Sequence, residues 1–178
     1  MAESFDKTDE IFLVLRCQSG DREAFDLLLR SIQSGLWSYI SRLAGDRDLA
    51  LDILQEVFLI IYRKIGWLND PKLFRRWVYR IATRETFRVL KKRSKWKEEL
   101  LDDAMICSEP TTTEVDFDMA MLDRVSPASR AVLMLHYVED LSLNETAEAL
   151  DISVGTVKSR LAYGLHVLRN HVRPNEAK

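Results

Sequence analysis

From Thr8 to about Lys97 the apolar residues recur with a helical period, and no alternating apolar and polar stretch is long enough to predict a strand. Breaks near Ser19-Gly20, Gly45-Asp46 and Gly66 to Pro71 divide this half into four predicted helices. In the third, Leu49, Ile53, Val57 and Ile60 or Ile61 make an apolar stripe that leaves Asp48, Asp52, Gln55, Glu56 and Arg63 facing elsewhere. In the fourth, Phe74, Trp77, Val78 and Ile81 are the expected buried side. Between Glu98 and Asp118 the periodicity fails, and the run from Ser108 to Glu114 is rich in residues that compete with helix. Helical patterning resumes at Asp118 with a short segment to Val125. A helix through Val138 follows, with Ser126 as N-cap and Pro127 as its first residue. The pattern predicts an all-α protein of two small helical domains, a four-helix domain over 1–97 and a helix-turn-helix domain over 118–178, joined by a flexible acidic linker over 98–117.

The segment from Ser142 to Leu161 predicts two short helices joined by a tight turn. Ala147 and Leu150 share a face of the first, and Val157 and Leu161 continue that apolar face on the second. Asp151 stands where the chain must reverse, and Asp is one of the few residues other than glycine that tolerate a left-handed backbone. Ser153 is placed to cap the second helix. Thr156, Lys158, Ser159 and Arg160 near its start are small, polar or basic, as a helix entering the major groove requires.

Charge changes the picture more than composition does. The 178 residues are 47% hydrophobic, enough for packed cores, and the net charge is only −2. Yet residues 60–97 hold 13 of the 26 Lys and Arg against two acids, while residues 98–123 hold nine acids and no cation. The first is a candidate phosphate-binding surface; the second is an acidic run that either keeps a solvated linker extended or mimics nucleic acid, which is the favoured reading, or folds back on the basic surface at low salt. Cys17 and Cys107 lack metal-ligand spacing, and His136, His166 and His171 form no ligand cluster, so neither a metal nor another cofactor is expected. The start of the chain lacks an apolar signal core and no apolar run is long enough to span a bilayer, which predicts a cytoplasmic protein without direct membrane insertion.

Within the basic region, Arg76, Arg80, Arg84, Arg88 and Lys92 recur at every fourth position of the fourth helix and form one ridge, expected to lie opposite Trp77 and Ile81. Like charges in such a row repel, and an anion is their natural counterpart. Just before the ridge, Gly66 to Pro71 is a loop carrying Trp67 and Asn69, the kind of loop that accepts an extruded base by stacking and edge hydrogen bonds.

With both halves read, the chain resembles an extracytoplasmic-function (ECF) sigma factor of the sigma-seventy family, which directs bacterial RNA polymerase to promoters. In the first half the resemblance rests on Gly20-Asp-Arg-Glu-Ala-Phe25, Asp52-Ile-Leu-Gln-Glu-Val-Phe58 and Phe74-Arg-Arg-Trp-Val-Tyr-Arg-Ile-Ala82. In the second it rests on Ser126-Pro127, Arg130, Tyr137-Val-Glu-Asp-Leu-Ser142 and Gly155-Thr-Val-Lys-Ser-Arg-Leu161. The resemblance implies sigma-two-like and sigma-four-like domains, with core RNA polymerase, promoter DNA and an anti-sigma factor as partners. It implies that Asp52, Gln55 and Glu56 dock on the polymerase. Trp67, Asn69, Lys72, Arg76, Arg80, Arg84 and Arg88 would serve the minus-ten element, and Ser153, Thr156, Lys158, Ser159 and Arg160 the minus-thirty-five element.

Three departures from the family pattern qualify this. Arg84 and Arg88 replace the Asn and Asp common late in the minus-ten helix, and Val125 precedes Ser126-Pro127 where Leu-Pro is usual. Tyr163-Gly164-Leu165 stands where Arg-Ala-Arg is common, which predicts a weaker or altered minus-thirty-five contact, with the basic ridge of the first domain compensating. A stand-alone helix-turn-helix regulator is the competing reading, and the helical first half separates the two, since a receiver domain would alternate strands and helices. The residues offer no catalytic triad and no phosphate-cradling glycine loop, so an enzyme is not expected.

Overall fold

The computed structural model describes residues 7–93 and 119–172. Among the described residues every regular element is helical. The chain divides into two compact units that part between Val89 and Leu90. The expected acidic linker over 98–117 lies outside the described residues, as do Lys95 and Lys97.

The first unit contains helices α1 (Lys7–Gln18), α2 (Arg22–Ala44), α3 (Arg47–Lys64) and most of α4 (Phe74–Lys92). Helices stop and restart at the predicted breaks for local reasons. Gly20 and Gly45 take left-handed backbone at φ 89° and 65°, and an aspartate follows each glycine as the next N-cap. The Asp21 carboxylate accepts from the Ala24 N–H at 3.1 Å, and Asp46 accepts from the N–H groups of Asp48 and Leu49. The Ala24 N–H and the Arg16 side chain, which donates to Asp21 through Nε at 2.9 Å, hold the Asp21 carboxyl below the usual carboxylate range.

Helix α2 packs against both α1 and α3. It buries Leu28, Ile32, Leu36, Tyr39, Ile40 and Leu43 at helical spacing. Leu49, Ile53, Val57 and Ile61 are the buried stripe of α3, as expected, with Ala50 and Leu54 beside them.

Helix α4 corrects its sequence reading. Phe74 and Val78 are fully buried, but Trp77 and Ile81 are only half-buried. The buried side is completed by Tyr79, Ala82, Thr83 and Thr86. At 100° per residue, Trp77 and Ile81 fall within one turn of Arg80 and Arg84, so they flank the ridge and do not oppose it. Thr83 and Thr86 can be buried because their hydroxyls donate to the carbonyls of Tyr79 and Ala82, both at 2.7 Å. The Tyr39 hydroxyl meets Thr83 Oγ1 at 2.7 Å, joining α2 to α4. An unmade bond at such a site would cost about 1–3 kcal/mol.

In the second unit a short 3₁₀ segment, Met119–Arg124, leads to α5 (Pro127–Leu133). Ser126 caps α5 and Pro127 opens it, as predicted. The helical path continues to Val138, but residues Met134–Val138 are wound as a π-helix. Arg130 is buried and donates to the carbonyls of Asp123 and Val125 at 2.9 and 3.0 Å, fixing the turn into α5. Helix α6 (Leu143–Leu150) starts with a capping box in which Ser142 and Glu145 satisfy each other's backbone N–H. Asp151 then adopts φ 58° and ψ 43°, the left-handed conformation expected of it, and α7 (Val154–Val172) follows. Ala147, Val157 and Leu161 are buried and Leu150 is half-buried.

Candidate functional site

The loop ahead of α4 is built so that its core-facing residues anchor it and its aromatic does not. Ile65 and Leu68 are buried, while Trp67 and Asn69 on either side of Leu68 are exposed, Trp67 at 77%. A covering role for Trp67 is therefore excluded. The Gln18 side chain of α1 donates to the carbonyls of Ile65 and Leu68 at 3.0 and 2.7 Å, closing the loop from outside its own sequence. Asp70 accepts from the Lys72 N–H at 3.0 Å and starts the 3₁₀ turn Pro71–Leu73 that leads into α4. Lys72 is exposed at this entrance.

Along α4, Arg76 and Arg80 are half-buried, whereas Arg84 and Arg88 are exposed. The ridge thus rises from the unit's surface towards its far end. It is not uniform in charge. Arg88 Nε donates to Glu85 Oε2 at 2.8 Å, with Nη2 on the same oxygen at 2.5 Å. That hydrogen bond first, then the charge of Glu85 and a smaller contribution from Glu56 on α3, raise the Arg88 pKa above its ordinary value. Arg75, next to the ridge, points instead to Glu10 of α1 at 2.8 Å, where Glu10 is 8% exposed.

On α3, Asp52 and Gln55 are exposed and Glu56 is half-buried. The same helix exposes Leu51, Leu59 and Tyr62, which the sequence reading did not single out. Tyr62 meets Phe25 of α2 edge-on with ring centroids 5.1 Å apart. The face is thus mixed, with carboxylate and amide groups set among apolar side chains, a composition suited to a protein partner.

In the second unit the Ser153 hydroxyl accepts from the Thr156 N–H at 3.0 Å, the predicted cap of α7. It also lies 2.8 Å from the Thr156 hydroxyl. Ser159 Oγ donates to the Thr156 carbonyl at 3.0 Å, which leaves its lone pairs for an incoming donor. Lys158 is exposed, and Thr156, Ser159 and Arg160 are half-buried. All five predicted residues thus lie in the first two turns of one helix or at its cap.

Two family models match the chain, Sigma-70 region 2 over residues 28–96 and Sigma-70, region 4 over residues 121–170. The chain is 29% identical over 181 residues to the ECF RNA polymerase sigma factor SigW of Bacillus subtilis (strain 168), covering 90% of this chain and 95% of that protein. It is also 29% identical over 191 residues to the ECF RNA polymerase sigma-E factor of Haemophilus influenzae, covering 98% and 99%. The chain belongs to the ECF class of the sigma-70 family. Its fold is similar to that of CnrH, solved in complex with the cytosolic domain of CnrY, with a TM-score of 0.66 at 19% identity over 92% of this chain and 97% of that one. A second similar fold is the sigma factor RpoE from Bartonella quintana, solved in complex with the anti-sigma factor NepR, with a TM-score of 0.67 at 18% identity over 86% and 99%.

Membership gives the Tyr163-Gly164-Leu165 departure a structural meaning. Leu165 is 2% exposed, so in this sigma factor the position belongs to the core. A Cβ on Gly164 would sit 2.8 Å from Leu133 Cδ1 and 3.2 Å from Leu133 Cγ. The glycine lets α7 approach α5 closely, which offsets its helix cost of about 1 kcal/mol relative to alanine. Tyr163 is half-buried.

Among the described residues no helix is long and apolar enough to cross a membrane.

Proposed function

We propose that this sigma factor binds core RNA polymerase through the α3 face of Asp52, Gln55 and Glu56. It then reads the minus-ten element with the Trp67–Asn69 loop and the α4 ridge, and the minus-thirty-five element with the start of α7. In this reading residues 1–97 form the sigma-two-like domain, 98–117 the linker and 118–178 the sigma-four-like domain. The observation that carries it is the pairing, in one helical unit, of a 77%-exposed tryptophan with an arginine ridge that begins one helical turn beyond the same loop. Stacking on the indole holds an unpaired base and the guanidinium groups hold the backbone, and both are needed to keep a promoter melted.

The role is one of binding and positioning, with the chemistry left to the polymerase, so the chain needs no catalytic group or cofactor of its own. It acts where polymerase and genomic DNA are, in the cytoplasm. An anti-sigma factor is the regulatory partner we infer, because the similar RpoE was solved in complex with the anti-sigma factor NepR.

The deciding experiment adds the chain to core polymerase on a defined promoter, with Asp52→Lys/Glu56→Lys as the comparison. Wild-type chain should support transcription, and the double substitution should weaken core binding at least tenfold while far-ultraviolet circular dichroism stays unchanged. Unaltered core affinity would remove the α3 assignment.

A further inference from the structure

Helix α4 holds seven cations and a single acid, Glu85. That acid stands three residues before Arg88 and takes two of its donors on one carboxylate oxygen. The Glu85 side chain is 18% exposed and that of Arg88 49%, so the carboxylate lies closer to the helix and the guanidinium covers it from outside. Carboxylate and phosphate use the same fork of guanidinium donors and therefore compete for it. Glu56 on α3 adds to the negative field at the same guanidinium.

We propose that Glu85 is a positioning residue that holds the Arg88 guanidinium back from DNA phosphate until the promoter displaces it. This rests on the reading that the ridge meets phosphates. An approaching phosphate must replace Glu85 as the acceptor and then tolerate the released carboxylate beneath it.

The test measures binding of the full chain, assembled with core polymerase, to promoter duplex over a salt series. Wild type, Glu85→Gln, Arg88→Ala and the double variant complete a cycle. Glu85→Gln should tighten binding by about two- to fivefold with little change in the slope of log affinity against log salt, because Arg88 meets phosphate in both. In the Arg88→Ala background the gain should be clearly smaller, because only the repulsion between carboxylate and phosphate is left to remove. An equal gain in both backgrounds would mean that any lost negative charge near DNA suffices, and would overturn the positioning role. No gain from Glu85→Gln while Arg88→Ala weakens binding would also overturn it and leave the ridge reading standing. If substitutions along the whole ridge leave binding unchanged, the ridge reading fails and this inference fails with it.

Discussion

In the proposed reading helices α4 and α7 both present polar residues to DNA, but the two helices are specified in different ways. On α4 the cations recur every fourth residue, flanked by half-buried Trp77 and Ile81, and the function is spread over several like groups. On α7 the cations are few, and the direction of the helix is set by backbone chemistry: a left-handed Asp151, the Ser153 cap and the close approach at Gly164. A charged ridge tolerates loss of one member, because phosphates are uniform along DNA. A recognition helix does not tolerate a change of tilt, because base edges are reached only at the right angle and depth.

The strongest way to break this contrast is to restore the family's cations to α7. Leu165→Arg should cost about 3–5 kcal/mol of stability, because it leaves an unpaired charge in the core, and urea unfolding measures it. Tyr163→Arg, at a half-buried position, should stay within about 0.5 kcal/mol of wild type and strengthen promoter binding. If both are tolerated alike, the core position of Leu165 is wrong.

A smaller effect is expected at the loop. Trp67→Ala should lose about 1–3 kcal/mol of melted-strand binding, the worth of one base stacked on an aromatic, and Asn69→Ala should shift it in the same direction. Permanganate reactivity of unpaired thymines should fall, while closed-complex affinity stays close to wild type. Equal losses on duplex and pre-melted promoters would make the loop a connector only.

The smallest effect separates the two helices by kind. Arg84→Ala should weaken binding similarly on every promoter sequence and reduce the salt slope by about 0.9. A change of preferred minus-ten sequence would instead mean that Arg84 contacts a base edge.

Elements set by local chemistry were legible from the sequence. The Asp151 turn, the Ser153 cap, the Ser126-Pro127 start and the apolar stripe of α3 all follow from residues within a few positions of one another. The buried side of α4 was misread because Thr83 and Thr86 count as polar until their hydroxyls are seen to be satisfied by the preceding turn. Glu10–Arg75 and Gln18 with the 65–68 carbonyls join residues 47 to 65 positions apart, and no local pattern announces them. Exposed Leu51, Leu59 and Tyr62 look in sequence like spare core residues, and only the packing of α2 on one side of α3 shows that they are left outside.

The Gln18 clamp has a consequence for where the working unit ends. The match to Sigma-70 region 2 begins at residue 28, past the whole of α1, yet the amide that fixes the Trp67 loop sits on that helix. A fragment trimmed to the matched borders would keep Trp67, Asn69 and the arginines of α4 and release the loop that presents the first two. Its indole would then have to be ordered anew by each promoter it met, and that entropy would come out of the affinity.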